Sequence, residues 1–163
     1  MSDRRVALVT AGASGIGRVT AECLARAGIA VHICDSNESA IEGFLAANTE
    51  MTASRTDVSN VEQVDAMFAD LARQHQRLDV LVNNAGISGP TAAVEDIDPA
   101  DWDRTIAVDL SSAFYVTRRA VPLLRTTRGS IINIASNAAL FGVPLRSPYA
   151  ASKWALIGLT KTW

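Results

Sequence analysis

The sequence has little of what marks several large classes of protein. Two cysteines and two histidines among 163 residues are too few for a disulfide framework, and their scatter predicts no metal site. The formal net charge is −2 and no basic run exceeds Arg118-Arg119, so we expect no nucleic-acid or anionic-membrane partner. No apolar stretch could cross a bilayer, and the first residues lack the apolar core of a signal peptide. These absences predict a cytoplasmic protein in which Cys23 and Cys34 are buried free thiols.

Strand-like and helix-like patterns alternate along the chain. Short apolar runs predict strands at 5–10, 30–34, 51–56, 78–83 and 130–135. Helical periodicity lies between them, at 16–27, 38–47, 61–74 and 101–124, and again from Pro148 onwards. Several strand runs are apolar throughout, which is typical of strands covered on both faces. The alternation predicts an α/β fold, a doubly wound parallel sheet that makes residues 1–163 one domain.

The fourth helical segment carries an apolar stripe at four-residue spacing. Its members are Trp102, Ile106, Leu110 and Phe114. We expect this stripe to pack in the intramolecular core. Residues on the opposite side of the helix would then be free to meet a partner.

A glycine-rich loop follows the first strand directly and opens a helix. Gly12, Ser14, Gly15, Ile16 and Gly17 are its candidate cofactor-binding residues. Backbone N–H groups in such a loop can approach a pyrophosphate, and the helix N-terminus adds partial positive charge. A glycine cluster alone can equally be a tight turn, but its position between strand and helix favours dinucleotide binding.

An acidic residue, Asp35, ends the second strand. A carboxylate there can accept hydrogen bonds from adenosine ribose hydroxyls, and it repels a 2′-phosphate. No Arg or Lys follows it in Ser36-Asn37-Glu38. These features favour NAD, with NADP as the less favoured cofactor. The alternative is that Asp35 caps the next helix, a role that Ser36 or Asn37 could also serve.

Tyr149 and Lys153 stand four residues apart in Tyr-Ala-Ala-Ser-Lys. On a helix this spacing places the phenol and the ammonium on one face, one turn apart. A nearby cation stabilises a phenolate and thereby suits the phenol to acid–base catalysis. In isolation the pair is more typical of an amphipathic helix with a surface lysine. A catalytic interpretation therefore depends on the other motifs in the chain.

The ordered motifs resemble those of the short-chain dehydrogenase/reductase family. Thr10 to Gly17 is similar to its Thr-Gly-x-x-x-Gly-x-Gly loop, except that Ala11 replaces the first glycine. Asp57-Val58 resembles its adenine-contacting pair. Asn83-Asn84-Ala85-Gly86 resembles the motif that braces the sheet and borders the cofactor, so Asn84, Ala85 and Gly86 become cofactor-binding candidates. Ser136, Tyr149 and Lys153 match its catalytic residues in type and spacing.

The resemblance implies a NAD(P)-dependent oxidoreductase that interconverts a secondary alcohol and a ketone. Tyr149 would be the general acid/base, Ser136 would hydrogen-bond the substrate oxygen, and Lys153 would stabilise the phenolate and contact the nicotinamide ribose. The family also implies a homodimer or homotetramer. The substrate itself stays open.

Asp109 departs from the family, which usually has an asparagine there that holds a proton-relay water. Asp109 could accept from the same water and pair with Lys153, or it could draw the lysine's charge away from Tyr149. We expect retained activity with an altered pH optimum. The alternative is that Asp109 only caps or solvates its helix.

The sequence stops within the helix that carries Tyr149 and Lys153. The family's last two strands and substrate lid would follow that point, so we expect the sequence to be a segment of a longer enzyme. The alternative is a catalytically silent dinucleotide-binding or dimerisation module.

Overall fold

Five parallel strands form a single sheet in the computed structural model, which describes residues 4–163. The sheet order is β3-β2-β1-β4-β5, and each neighbouring pair is parallel. The strands are β1 Val6–Thr10, β2 Ala30–Asp35, β3 Thr52–Arg55, β4 Val80–Asn83 and β5 Ser130–Asn133. The strand order reverses between β1 and β4, where open α/β sheets bind ligands beyond the carboxyl ends of their strands. The predicted doubly wound parallel sheet is confirmed.

Helices connect the strands as the periodicity predicted. They are α1 Gly15–Arg26, α2 Glu38–Ala47, α3 Val61–Gln74, α4 Pro99–Ile106, α5 Ser112–Thr127 and α6 Ser147–Thr162. A π-helical turn, Ala107–Ser111, joins α4 to α5 without a break, and short 3₁₀ turns lie at Val94–Asp96 and Asn137–Ala139. Side chains fix several starts because they accept from otherwise unpaired N–H groups. Asn37, Asn60 and Asp98 cap α2, α3 and α4 in this way.

The core lies on both faces of β1. Leu8 packs on one face with Leu71 and Val116, which come from α3 and α5. Val9 packs on the other face in a cluster that includes Phe44 from α2. Burial of each such side chain contributes about 1.5–3 kcal/mol. The two layers hold the carboxyl ends of β1 and β4 in fixed positions.

The apolar stripe on the fourth helical segment does not pack in the core, so that prediction is wrong. Trp102 is 39% exposed and Phe114 is 49% exposed. The helix instead packs through a face of smaller residues, namely Val108, Ala113, Val116 and Ala120. Small side chains allow the helix to approach the sheet closely. The segment is apolar on two sides, and periodicity alone could not say which side turns inward.

Two smaller expectations are also corrected. The fourth helical segment continues past residue 124 to Thr127 and ends where Arg128 adopts a left-handed conformation with φ 53°. Cys34 is buried but Cys23 is exposed, because Cys23 lies on the solvent side of α1.

Within residues 4–163, no helix has the length and apolarity to span a membrane. The same residues hold no cluster of three or more His, Cys, Asp or Glu side chains arranged to bind a metal ion. The expectation that the first residues form no signal peptide concerns residues 1–3 in part, and these lie outside the described residues.

Candidate active site

A cleft of 480 Å³ lies at the carboxyl ends of β1, β4 and β5. It brings together six residues that the sequence singled out from four separate segments. They are Ile16, Asn84, Gly86, Ser136, Tyr149 and Lys153. Ile87, Ser88, Val143 and Arg146 complete much of its wall. The parallel topology explains the convergence, because loops that follow neighbouring strands meet at one edge of the sheet.

The glycine loop makes a turn in which side chains have little room. A Cβ atom on Gly12 would lie 2.6 Å from Cβ of Ile33, and one on Gly17 would collide with the carbonyl oxygen of Ala11. Gly15 has a positive φ of 53° and open space around it. Ala11, where the family has glycine, also adopts a positive φ, of 48°. The loop therefore keeps the turn, with strain at Ala11.

Two polar side chains brace this loop against β4. The Thr10 hydroxyl accepts hydrogen bonds from the N–H groups of Asn84 and Ala85, at 2.9 and 3.0 Å. The Asn84 side chain donates to the carbonyl oxygens of Thr10 and Ala11, at 3.0 and 3.1 Å. The sequence named Thr10 only as the start of a motif. Its buried hydroxyl in an apolar strand was the signal that it had a bonding role.

Asp35 lies beside the glycine loop and does not cap α2. Its carboxylate accepts from Ala13 N–H at 3.2 Å and from Asn37 N–H at 3.1 Å. The cap of α2 is Asn37, which accepts from Ala40 N–H at 3.1 Å. The alternative role of Asp35 as the helix cap is therefore wrong. Its carboxylate is fixed next to the glycine loop.

Asp57 and Val58 follow β3 and lie outside the cleft. One Asp57 oxygen accepts from both N–H and hydroxyl of Ser59, at 2.9 and 2.6 Å, and the other lies 3.5 Å from Arg104 Nη1. Burial alone would raise the pKa of Asp57, but the Ser59 hydrogen bonds and Arg104 outweigh it and lower the pKa. Val58 is a buried core residue. Their adenine-binding role stays a prediction.

Tyr149 and Lys153 occupy successive turns of α6. The Lys153 Nζ atom is 5.6 Å from the centre of the Tyr149 ring, and the lysine side chain is only 5% exposed. Nζ donates to the carbonyl oxygen of Ile134 at 3.2 Å. Ser152 directly precedes Lys153 and was not singled out from the sequence. It is fully buried, and its hydroxyl donates to the Tyr149 carbonyl at 2.8 Å. The ammonium is thus held in place beside the phenol ring.

Asp109 lies in the π-helical turn and is 1% exposed. Its Oδ1 atom accepts from Ile87 N–H at 2.7 Å, and its Oδ2 atom lies 3.9 Å from Lys153 Nζ. Oδ2 has no hydrogen-bond partner among the described residues. Burial raises the pKa of Asp109, although Ile87 and Lys153 oppose the shift. The alternative that Asp109 only caps or solvates its helix is therefore wrong.

Ser136 starts the 3₁₀ turn that follows β5. Its hydroxyl accepts from Ala138 N–H at 3.1 Å and donates to Asn137 Oδ1 at 3.1 Å. The residue lines the cleft together with Tyr149 and Lys153 of α6. A hydroxyl so placed can reorient to donate to a bound oxygen atom.

A family model for short chain dehydrogenases matches residues 5–163. The chain belongs to that family. Its match begins just before β1 and runs through α6, so both the glycine loop and the Tyr149–Lys153 pair fall within it.

Three known proteins place the chain among these dehydrogenases. A 3beta-hydroxysteroid dehydrogenase from Mediterraneibacter gnavus is 39% identical over 98% of this chain and 59% of its own length. A crystal structure of an actinorhodin polyketide ketoreductase variant with NADPH has a TM-score of 0.93 at 32% identity, over 98% of this chain and 64% of its own. A crystal structure of NAD⁺-bound xylitol dehydrogenase has a TM-score of 0.91 at 34% identity, over 97% of this chain and 63% of its own. The chain thus spans about three fifths of their length.

Proposed function

We propose that the chain carries the cofactor-binding and proton-transfer part of an oxidoreductase that interconverts a secondary alcohol and a ketone, with NAD as cofactor. The observation that carries this proposal is the position of Tyr149. Its ring lies 5.6 Å from the buried ammonium of Lys153, and it shares a cleft with Ser136 and with Ile16 of the glycine loop. A phenol, a buried ammonium and the turn that we propose binds the nucleotide therefore line one cleft.

The glycine loop fits a dinucleotide. Gly12 and Gly17 leave no room for a Cβ atom, while nothing lies within 4 Å of the position that a Cβ on Gly15 would take. The start of α1 supplies unpaired N–H groups and the positive end of the helix dipole, which together suit a pyrophosphate. The bound nicotinamide would supply or accept the hydride.

The remaining chemistry falls to this chain's own residues. In alcohol oxidation the Tyr149 phenolate removes the hydroxyl proton while the carbon–hydrogen bond breaks, and in ketone reduction the phenol returns that proton to the oxygen. Ser136 donates a hydrogen bond to the same oxygen and stabilises negative charge on it. Lys153 stabilises the phenolate by its charge. Asp109 lies 3.9 Å from Lys153 Nζ, and its negative charge partly offsets the positive charge of the lysine.

Three features support NAD over NADP. The fixed carboxylate of Asp35 beside the loop would repel a 2′-phosphate. Arg18, the cation nearest in sequence to the loop, is paired with Glu22 at 2.8 Å. Arg55 at the end of β3 is paired with Glu38 at 3.3 Å. Both arginines thus already have a carboxylate partner.

A substrate panel tests this function directly. The natural full-length protein is incubated with secondary alcohols and either NAD⁺ or NADP⁺, and formation of reduced nicotinamide is followed by absorbance. We expect turnover with at least one alcohol and a preference for NAD⁺. Binding of NADH without any turnover would instead favour the alternative of a silent dinucleotide-binding or dimerisation module.

We also propose a homodimer through the outward faces of α4, α5 and α6. Trp102, Phe114 and Trp154 are 39%, 49% and 52% exposed on these helices, and α6 packs directly against α4. Large exposed aromatics on neighbouring helices are typical of interfaces. Sedimentation of wild type and Phe114→Lys tests this, with a monomeric wild type as the contrary result. A homotetramer would require a second interface.

A further inference from the structure

We propose that Arg146 forms an anion-recognition site in the cleft and that the substrate alcohol or ketone carries a carboxylate close to its reacting carbon. This inference rests on the proposed oxidoreductase function and names the substrate class for it. Arg146 directly precedes α6 and lines the same cleft as Tyr149 and Ser136. Its guanidinium carbon lies 5.1 Å from the centre of the Tyr149 ring.

The charge of Arg146 is not balanced by a carboxylate. None of the ion pairs among residues 4–163 includes Arg146. Among the described residues, those that line the cleft include Arg146 and Lys153 and no acidic residue. Lys153 has Asp109 behind it at 3.9 Å, so Arg146 supplies most of the unbalanced positive charge. The positive end of the α6 dipole lies at the same point, since Arg146 is its N-cap residue.

Two energetically unfavourable local features accompany this position of Arg146. Leu145, the residue before it, adopts a positive φ of 63°, which is costly for a leucine and tends to persist at functional sites. The Leu145 carbonyl accepts from Ala92 N–H at 3.1 Å, which fixes that conformation. The Nε atom of Arg146 is buried and has no hydrogen-bond partner among residues 4–163. An arginine with no role could turn its side chain into solvent, where water would hydrate Nε.

The guanidinium keeps donors for a ligand. Nη2 donates to the Ser88 carbonyl, and the Tyr149 ring lies under the guanidinium plane. These contacts fix the group but leave terminal N–H donors unused, since a guanidinium has five in total. A carboxylate is the small anion whose two oxygens match such a fork. Because the guanidinium and the phenol are neighbours, the carboxylate and the reacting carbon must lie within one ring or short chain of each other.

The test compares a matched pair of alcohols in the natural full-length protein. The pair is 4-hydroxycyclohexanecarboxylate and cyclohexanol, and the readout is kcat/KM for each with wild type, Arg146→Gln and Arg146→Lys. We expect wild type to prefer the carboxylate, and Arg146→Gln to lower that preference by about 10- to 100-fold, the loss of one charge-assisted bidentate contact. Arg146→Lys should recover part of the preference. Arg125→Gln, an exposed site at the opposite edge of the sheet, makes the same charge change and should leave the preference unaltered.

Each contrary outcome has a distinct meaning. Equal loss for both alcohols, with a shifted pH profile, would show that Arg146 acts through Tyr149 and would overturn the inference. A larger Kd for NADH in Arg146→Gln would show that the arginine serves the cofactor and would also overturn the inference. Wild-type turnover of cyclohexanol that the carboxylate fails to improve would refute anion recognition while leaving the oxidoreductase function intact. Turnover of neither alcohol, while other members of the substrate panel react, would overturn the carboxylate inference, and turnover of no alcohol in the pair or the panel would refute the proposed function itself.

Discussion

Replacement of Asp109 by asparagine should move the pH dependence of alcohol oxidation to lower pH. The carboxylate lies 3.9 Å from Lys153 Nζ, and Nζ lies 5.6 Å from the centre of the Tyr149 ring. Asp109 Oδ2 is therefore at most about 9.5 Å from that ring centre. A negative charge there opposes formation of the Tyr149 phenolate, and asparagine removes it.

The size of the shift follows from Coulomb's law. With the phenolate charge placed at the ring centre, two unit charges about 9.5 Å apart repel by about 1.7 kcal/mol at an effective dielectric constant of about 20. That energy corresponds to about one pH unit. The effect operates only above the raised pKa of Asp109, because only there is the carboxylate ionised. Lys153 keeps its hydrogen bond to the Ile134 carbonyl and so should stay beside the ring.

The assay is kcat for alcohol oxidation against pH, with both substrates saturating. The rising limb should move down by about one pH unit in Asp109→Asn. The control is Asp103→Asn, which makes the same charge change at an exposed site on α4 and should leave the limb in place. An unmoved limb, or one that moves to higher pH, would refute the account of Asp109 as a group that moderates the lysine's charge.

Three further predictions concern the glycine loop, the cofactor and His32, a fully buried residue of β2. Ala11→Gly should raise the free energy of unfolding by about 1 kcal/mol in urea titrations, because glycine adopts the positive φ of 48° without steric cost; an unchanged or lower value would show that Ala11 is not strained. Burial lowers the pKa of His32 from 6.5 to about 4, so the stability it contributes is fully present above pH 6.5 and is lost as pH falls towards 4. Wild type should therefore lose about 2.5 kcal/mol from this group between about pH 7.5 and 4.5, and His32→Asn should show a correspondingly flatter profile; parallel profiles would contradict the shift. Asp35→Asn should reduce the kcat/KM preference for NAD⁺ over NADP⁺ by about 10- to 100-fold, and an unchanged preference would place the discriminating group elsewhere.

The sequence predicted the sheet and its helices because those depend on strong local signals. Apolar runs of strand length alternated with helical periodicity, and each observed strand and helix lies at or close to a predicted range. Tyr149, Lys153 and Ser136 also meet in one cleft, since they follow neighbouring strands or share one face of a helix.

The errors have a different physical origin. The stripe from Trp102 to Phe114 has correct helical spacing, but its neighbouring face of small residues packs closer to the sheet and is buried instead. The π-helical turn around Asp109 and the left-handed backbone at Leu145 have no local sequence signal. Both are set by packing between segments far apart in the chain. The first places Asp109 beside Lys153, and the second directly precedes Arg146 at the cleft wall.

The measurement that tests the central claim most directly is turnover and NADH binding by Tyr149→Phe in the natural full-length protein. The phenol should supply the only proton-transfer group, so we expect turnover to fall by at least about 100-fold while the Kd for NADH stays close to that of wild type. Retained turnover would contradict the role of Tyr149 as general acid/base, and an equal loss of turnover and binding would show that the ring serves the cofactor site instead.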